Sequence, residues 1–267
     1  MSTADTKLGG QPGFRQPTPP TLLSSSGSSL PRDPPYQERR RGPADSLLGW
    51  PTCKEERDRH TGVVGFYRNQ VLPRVTDIAL AGRDFDAIRR RVASGLAGDV
   101  LEIGFGSGLN IPHYPPGVRR VLAVDPATAG RKLAARRMAG SPVLIGFAGL
   151  DGQAVEVDSA TIDCVLITWT MCTIPDARGA LSEARRVLRP GGTLHFAEHG
   201  RSPDPKVARW QDRLTPVQRR IFGGCHLNRP IDRLVTGAGF EMARLENFYM
   251  KGPRAFGYTF EGVATKR

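Results

Sequence analysis

The feature that most restricts the fold is a short apolar run, Val100 to Ile103, that passes without a spacer into Gly104-Phe105-Gly106-Ser107-Gly108. Glycines at alternate positions let the backbone turn sharply and approach a ligand where a Cβ would collide. In an open parallel sheet such a turn stands at the carboxyl end of a strand, where the ligand crevice forms. The chain after Gly98 repeats the theme. Apolar runs at Val121 to Val124, Val143 to Ile145, Cys164 to Thr168 and Thr193 to Ala197 alternate with stretches of helical spacing at Leu109 to Tyr114, Ala127 to Met138 and Asp176 to Leu188. This alternation predicts strands joined by crossover helices. Arg189-Pro190-Gly191-Gly192 reads as a turn that stops the third helix. Runs at Ala243 to Met250 and Gly257 to Ala264, after a helix at Ile231 to Gly237, bring the strand count to seven. The expected fold is α/β, with a seven-stranded, mostly parallel sheet and helices on both faces.

A second element narrows the ligand. Asp125 closes the run Val121 to Val124, and an acidic side chain at the end of a second strand can accept hydrogen bonds from both hydroxyls of a ribose. The turn has no Lys and no Walker spacing, so phosphates are not its natural cargo. Its Gly-x-Gly-x-Gly spacing also differs from the six-residue Gly-x-Gly-x-x-Gly fingerprint of dinucleotide sites. A nucleoside without a pyrophosphate fits best. After the third run, Gly149-Leu-Asp151-Gly-Gln153 offers Asp151 and Gln153 as partners for an adenine amino group, the alternative being an ordinary Asp-Gly turn. Thr168-Trp169-Thr170-Met171-Cys172 leaves the fourth run and is expected on the floor of the site, although Trp169 reads equally well as core.

Residues 1–58 are Pro- and Ser-rich without helical or strand periodicity, and are expected to form a disordered tail. The remainder, 59–267, is expected to be one domain. Within it, 59–97 reads as cap helices, with Pro73 interrupting the first and Asp84 as N-cap of the second, and 201–230 as a lid insertion. No apolar run approaches the ~20 residues that cross a bilayer, and the start of the sequence lacks the pattern of a secretory signal. The expected location is cytoplasmic, with no transmembrane segment but with peripheral membrane contact open. The formal charge of +12 raises nucleic acid as a partner, but the Arg pairs are dispersed and lack interleaved aromatics, so no nucleic-acid partner is expected. Cys53, Cys164, Cys172 and Cys225 are scattered, without a Cys-x-x-Cys pair or a histidine cluster at ligand spacing. Neither a disulfide framework nor a metal site is expected.

The stretch from Asp99 to Glu198 resembles the ubiquinone-biosynthesis type of class I methyltransferase. The resemblance rests on Leu-Glu-Ile-Gly-Phe-Gly-Ser-Gly, Val-Asp125-Pro126, Asp163 and Val187-Leu-Arg-Pro-Gly-Gly192. Tyr114-Pro-Pro-Gly117, Cys172-Thr-Ile, Glu198-His199, Trp210, Gly224-Cys225-His-Leu-Asn-Arg229 and Gly257-Tyr258 are similar to the alkyl-thiol methyltransferases and their bacterial relatives, over roughly Val63 to the C-terminus. This implies a Rossmann-like methyltransferase sheet and S-adenosyl-L-methionine as cofactor. Glu102, Gly104, Gly106, Gly108 and Asp125 would contact or shape its site, with Phe105, Pro126, Asp151, Gln153 and Thr168 counted beside them. Gln153 departs from the acidic residue of the pattern. The apolar membrane-attachment segment of those relatives is replaced here by the polar tail.

Methyl transfer from a sulfonium is an in-line displacement, so the protein mainly aligns the two reactants and excludes water. A thiol acceptor must react as its thiolate, which a base would assist. His199, after Glu198 at the end of the fifth run, is the expected catalytic residue, with His226 second. The segment Lys206 to Phe222 puts Val207, Trp210, Leu214, Val217 and Ile221 on one stripe, with Thr215-Pro216 restarting the helix. It is expected to cover an apolar pocket suited to a small lipophilic acceptor. An alkyl thiol is the preferred acceptor. The alternatives are a quinone, phenol or lipid acceptor, or a non-catalytic cofactor-binding module with a basic nucleic-acid-binding surface.

Overall fold

The computed structural model describes residues 71–267. The tail expected over 1–58, and the cap region up to residue 70, lie outside the described residues. Seven strands form one sheet: β1 (Gly98–Ile103), β2 (Val118–Val124), β3 (Leu144–Phe147), β4 (Ile162–Thr168), β5 (Leu188–His199), β6 (Phe240–Tyr249) and β7 (Tyr258–Lys266). Their order is β3-β2-β1-β4-β5-β7-β6. The first five are parallel, and β7 runs antiparallel to both β5 and β6. The expected mostly parallel sheet is therefore present. The order reverses between β1 and β4, which opens a crevice at the carboxyl ends of those two strands.

Period-two alternation divides the strand side chains between two apolar layers. Leu101, Ile103, Val165, Ile167, Leu194 and Phe196 pack on one face against Leu181, Ala184 and Val187 of α4 (Ala177–Val187) and Ile231 and Val235 of α6 (Ile231–Gly237). Val100, Val121, Ala123 and Leu166 pack on the other against Ile88 and Val92 of α2 (Arg83–Ala93) and Ala134 of α3 (Thr128–Ala139). Helix α4 shows how its sequence sets its ends. The Asp176 carboxylate accepts from the Arg178 and Gly179 backbone N–H groups at its start. Ala177, Ala180, Leu181, Ala184 and Val187 then form one buried stripe at helical spacing.

Several expectations are corrected. Pro73 lies in the first turn of α1 (Leu72–Leu80), where a proline forfeits no intrahelical bond; the helical stretch expected before it lies outside the described residues. Asp84 is not an N-cap. Helix α2 begins at Arg83 and places Asp84 and Asp86 in its first turn, where their charge favours the helix dipole. The helix expected at Leu109 to Tyr114 is a single 3-10 turn, Ile111–His113. Arg189 to Gly192 lies inside β5 as a bulge, because Ile162 pairs with Leu188 and Cys164 with Thr193. Finally, α5 (Pro205–Ile221) runs through Pro216 without a break. Its Val207, Ala208, Gln211 and Thr215 are buried, whereas Trp210, Val217 and Ile221 lie exposed. Gln211 takes the inner face because its amide serves three backbone groups: Oε1 accepts from Ser202 N, and Nε2 donates to the oxygens of Gly200 and Ala255. Among the described residues, no helix is long and apolar enough to cross a membrane.

Candidate active site

The glycine turn leaves β1 at the crevice. Gly104 has φ +83°, and a Cβ there would lie 1.9 Å from Thr170 Oγ1, so both backbone and space exclude a side chain. Gly106 has φ +56°, and a Cβ there would meet only the Gly104 carbonyl oxygen, at 4.0 Å. Its constraint is therefore conformational rather than steric. Asp125, at the end of β2, closes the turn from beneath. Its Oδ2 accepts from Gly106 N at 2.7 Å and its Oδ1 from Ala127 N at 2.7 Å. Burial pushes this carboxyl above its ordinary range, with the two N–H groups and Arg131 opposing. Each oxygen keeps a second lone pair for an outside donor.

Glu102 lies below the turn, fully buried on the α2–α3 face of the sheet. It accepts from the Tyr114 hydroxyl and, at 2.9 Å, from Asn110 Nδ2, which also donates to Thr168 Oγ1 at 3.0 Å. Burial pushes the Glu102 carboxyl up to about 7, against those two hydrogen bonds. Asn110 Oδ1 is buried without a partner among the described residues. A buried acceptor left unpaired costs free energy unless a donor arrives. Together with the positive-φ turn and Asp125, it fits a nucleoside that also carries an ammonium group, as S-adenosylmethionine does.

The remaining expected residues divide. Thr168 belongs to the Glu102–Asn110 network. Phe105 contributes backbone to the turn, but its ring is core and packs edge-on against Phe147 at 5.7 Å between centroids. Pro126 is exposed beside Asp125. Asp151 and Gln153 hold each other: Asp151 Oδ1 accepts from Gln153 N (2.8 Å) and Nε2 (3.0 Å), and Gln153 Oε1 accepts from Asp176 N at 3.0 Å. They lock a loop onto the start of α4. Trp169, with φ +48°, packs on Phe85 and carries the Arg89 guanidinium 4.6 Å over its ring. Thr170 lies in the stretch expected on the floor of the site and packs against Gly104; Asn110 carries no such signal in the sequence, and Tyr114 enters only through its Tyr-Pro-Pro-Gly motif.

The other side of the crevice is built from three distant segments. Glu198, fully buried near the end of β5, accepts from the backbone N–H groups of Thr170 (2.6 Å), Met171 (2.9 Å) and Cys172 (3.3 Å), fixing the loop after β4. Burial raises its carboxyl to about 7, with those donors opposing. Arg229 clamps the same loop by donating to the carbonyls of Met171, Ile174 (2.7 Å) and Pro175 (3.2 Å). His199 follows Glu198 and holds Nε2 2.9 Å from Cys225 Sγ. Cys172, His199 and Cys225 lie together, with one ligand-capable atom from each within 4.8 Å of the other two. Burial works against a charged His199, but the adjacent Cys225 sulfur and Glu198 hold it above its usual range. Cys225 is drawn well below the thiol range by the Cys172 thiol and by His199, against burial. Cys172 and Cys225, far apart in the sequence, are thus brought together by the fold. His226, the second choice as base, instead faces the Cys172 carbonyl, Nδ1 at 3.2 Å. On the exposed side of α5, Lys206, Arg209, Trp210 and Arg213 line a basic surface groove.

A mostly parallel sheet of this order, with a glycine turn and an acidic second-strand end at its switch point, defines a class I methyltransferase fold. Comparison with known proteins agrees. Residues 101–196 match the family model described as methyltransferase domain. The chain is 35% identical to thiol S-methyltransferase TMT1B of Rattus norvegicus over 151 residues, 55% of this chain and 62% of that protein. It is 30% identical to human thiol S-methyltransferase TMT1A over 169 residues, 60% of this chain and 69% of that protein. The match thus spans under two thirds of the rat relative's length. In fold, it resembles the N-methyltransferase NodS from Bradyrhizobium japonicum, solved with S-adenosyl-L-homocysteine (TM-score 0.57, 18% identity, 76% of this chain and 96% of that one). The chain belongs to the S-adenosylmethionine-dependent class I methyltransferases.

Proposed function

We propose that this protein transfers the methyl group of S-adenosylmethionine to the sulfur of a small alkyl thiol, with residues 59–267 as the catalytic domain. The observation that carries the acceptor assignment is the meeting of Cys172, His199 and Cys225 beside the loop that Glu198 and Arg229 fix. The thiol methyltransferase relatives support the same acceptor. In this reading Gly104, Gly106 and Gly108 admit the cofactor to the backbone, Asp125 receives its ribose, and Asn110, held by Glu102 and Thr168, receives its ammonium group. The cofactor brings an activated methyl group, so the chain needs only to align the acceptor, exclude water and lower the cost of forming a thiolate. Because His199 Nε2 is already engaged by Cys225, acceptor activation falls to the three-residue group rather than to a free histidine base. Leu214 and Leu227, packed with the two cysteines, support an acceptor with an apolar body.

The test is transfer of labelled methyl from S-adenosylmethionine to matched alkyl thiol, phenol and amine acceptors. Methyl thioether as the main product is expected. Preferential methylation of the phenol or the amine would replace the thiol assignment.

A further inference from the structure

Two cysteines in an apolar layer are commonly small core residues that need no polar partner. Cys172 and Cys225 are not placed that way. Both are buried, at 1% and 4% exposure, and both lie against the imidazole of His199, which reaches them from another strand end and is itself partly exposed. We propose that Cys172, His199 and Cys225 form a three-ligand site for a soft divalent cation of the zinc class, with its fourth tetrahedral position open to an exogenous ligand.

The donor set and the spacing carry this. Two thiolates and an imidazole suit zinc. Bond lengths of about 2.3 Å to sulfur and 2.0–2.1 Å to nitrogen put tetrahedral ligand atoms about 3.5–3.8 Å apart. The three ligand atoms all lie within 4.8 Å of one another. The 2.9 Å contact between His199 and Cys225 needs to open by about 0.6–0.7 Å on that geometry.

The scaffold is fixed independently of any ion. Cys172 donates its N–H to Glu198 Oε2 at 3.3 Å, and its carbonyl accepts from His226 N at 2.8 Å. Arg229 secures the next turn through the Ile174 carbonyl. Cys225 N donates to Phe222 O at 3.1 Å, following the end of α5. Among the described residues, no fourth His, Cys, Asp or Glu joins the group. The nearby Glu198 is spent on three backbone N–H groups. Three protein ligands with one open position are the arrangement of catalytic rather than structural zinc.

The role of the open position rests on the proposed thiol acceptor. An alkyl thiol binding there would lose its proton to solvent and sit as a metal-held thiolate. Its sulfur would then form the new C–S bond as the sulfonium C–S bond of the methyl donor breaks, leaving a neutral thioether that departs from the ion.

The test measures metal in the full chain, purified without chelating resin and supplied with zinc or, separately, with cobalt(II) as spectroscopic probe. About one ion per chain is expected, together with sulfur-to-cobalt charge-transfer absorption. Cys172→Ser, Cys225→Ser and His199→Ala are each expected to lower occupancy at least about tenfold while S-adenosylmethionine binding persists, which shows that the variants fold. If a variant does not fold, the wild-type stoichiometry and cobalt spectrum decide alone. Less than about 0.1 ion per chain, or variants that retain the wild-type content, would overturn the site. Bound metal without thiol methylation would leave the site standing and sink the acceptor assignment. Thiol methylation by a metal-free chain would do the reverse.

Discussion

On the β1–β2 side of the crevice the site is made largely of backbone: three glycines with positive φ, tied by Asp125 to the end of the second strand. On the β4–β5 side it is made of side chains, Cys172, His199 and Cys225, brought from three segments and held by Glu198 and Arg229. The first kind of site fails when a Cβ is added. The second fails when a clamp is removed, even one that touches no reactant. The two sides meet at Thr170, whose hydroxyl fills the space against Gly104 and whose N–H donates to Glu198.

The largest effect is expected at that meeting point. Gly104→Ala forces a Cβ against Thr170 from a left-handed backbone, and should weaken S-adenosylmethionine binding by at least about 100-fold, since strain of 1–3 kcal/mol adds to the lost approach. Calorimetric titration checks it. An affinity within threefold of the unsubstituted chain would break the backbone half of the comparison.

Arg229→Met should act on the other half. Loss of its bonds to the Ile174 and Pro175 carbonyls is expected to cost about 1–3 kcal/mol of stability and to reduce thiol turnover about tenfold. Cofactor affinity should stay near that of the parent, as read by the same titration beside chemical denaturation. Equal losses of cofactor binding and turnover would show that the halves are not separable.

A smaller effect concerns pH. The Glu102 carboxyl is raised from 4.5 to about 7 in the folded chain, so between those values the unfolded chain has already released a proton that the folded chain retains. The cofactor-free protein should therefore lose stability as pH rises from about 4.5 to about 7. Glu102→Gln should flatten this slope in part, because Glu198 is raised similarly. Denaturant midpoints across that range are the readout, and an unchanged slope would remove Glu102 as a source. The smallest effect is expected for Trp210→Ser. With the ring 56% exposed on α5, stability should change by no more than about 0.5 kcal/mol, whereas a ring buried in a lid would cost several times that.

The backbone half was legible because it is contiguous. A strand, its glycine turn and the next strand's acidic end each leave a local pattern, and all seven strands showed as apolar runs. The bulge at Arg189 to Gly192 was not legible, because a Pro-Gly-Gly stretch reads as a turn whether or not pairing resumes around it. Nor was the cysteine cluster, since Cys172, His199 and Cys225 have no spacing in common and meet only when β4, β5 and the end of α5 are assembled. Helix α5 misled for a different reason. It carries apolar residues on two arcs, and the arc that turns inward is chosen by Gln211 and its three backbone partners, which an apolar stripe does not reveal.

The most direct measurement titrates S-adenosylmethionine into the unsubstituted chain, Asp125→Ala and Cys225→Ser. Binding by the unsubstituted chain and by Cys225→Ser, with a loss of about 10- to 100-fold for Asp125→Ala, is the predicted result. Absence of binding in the unsubstituted chain, or full affinity in Asp125→Ala, would contradict a cofactor site at the glycine turn.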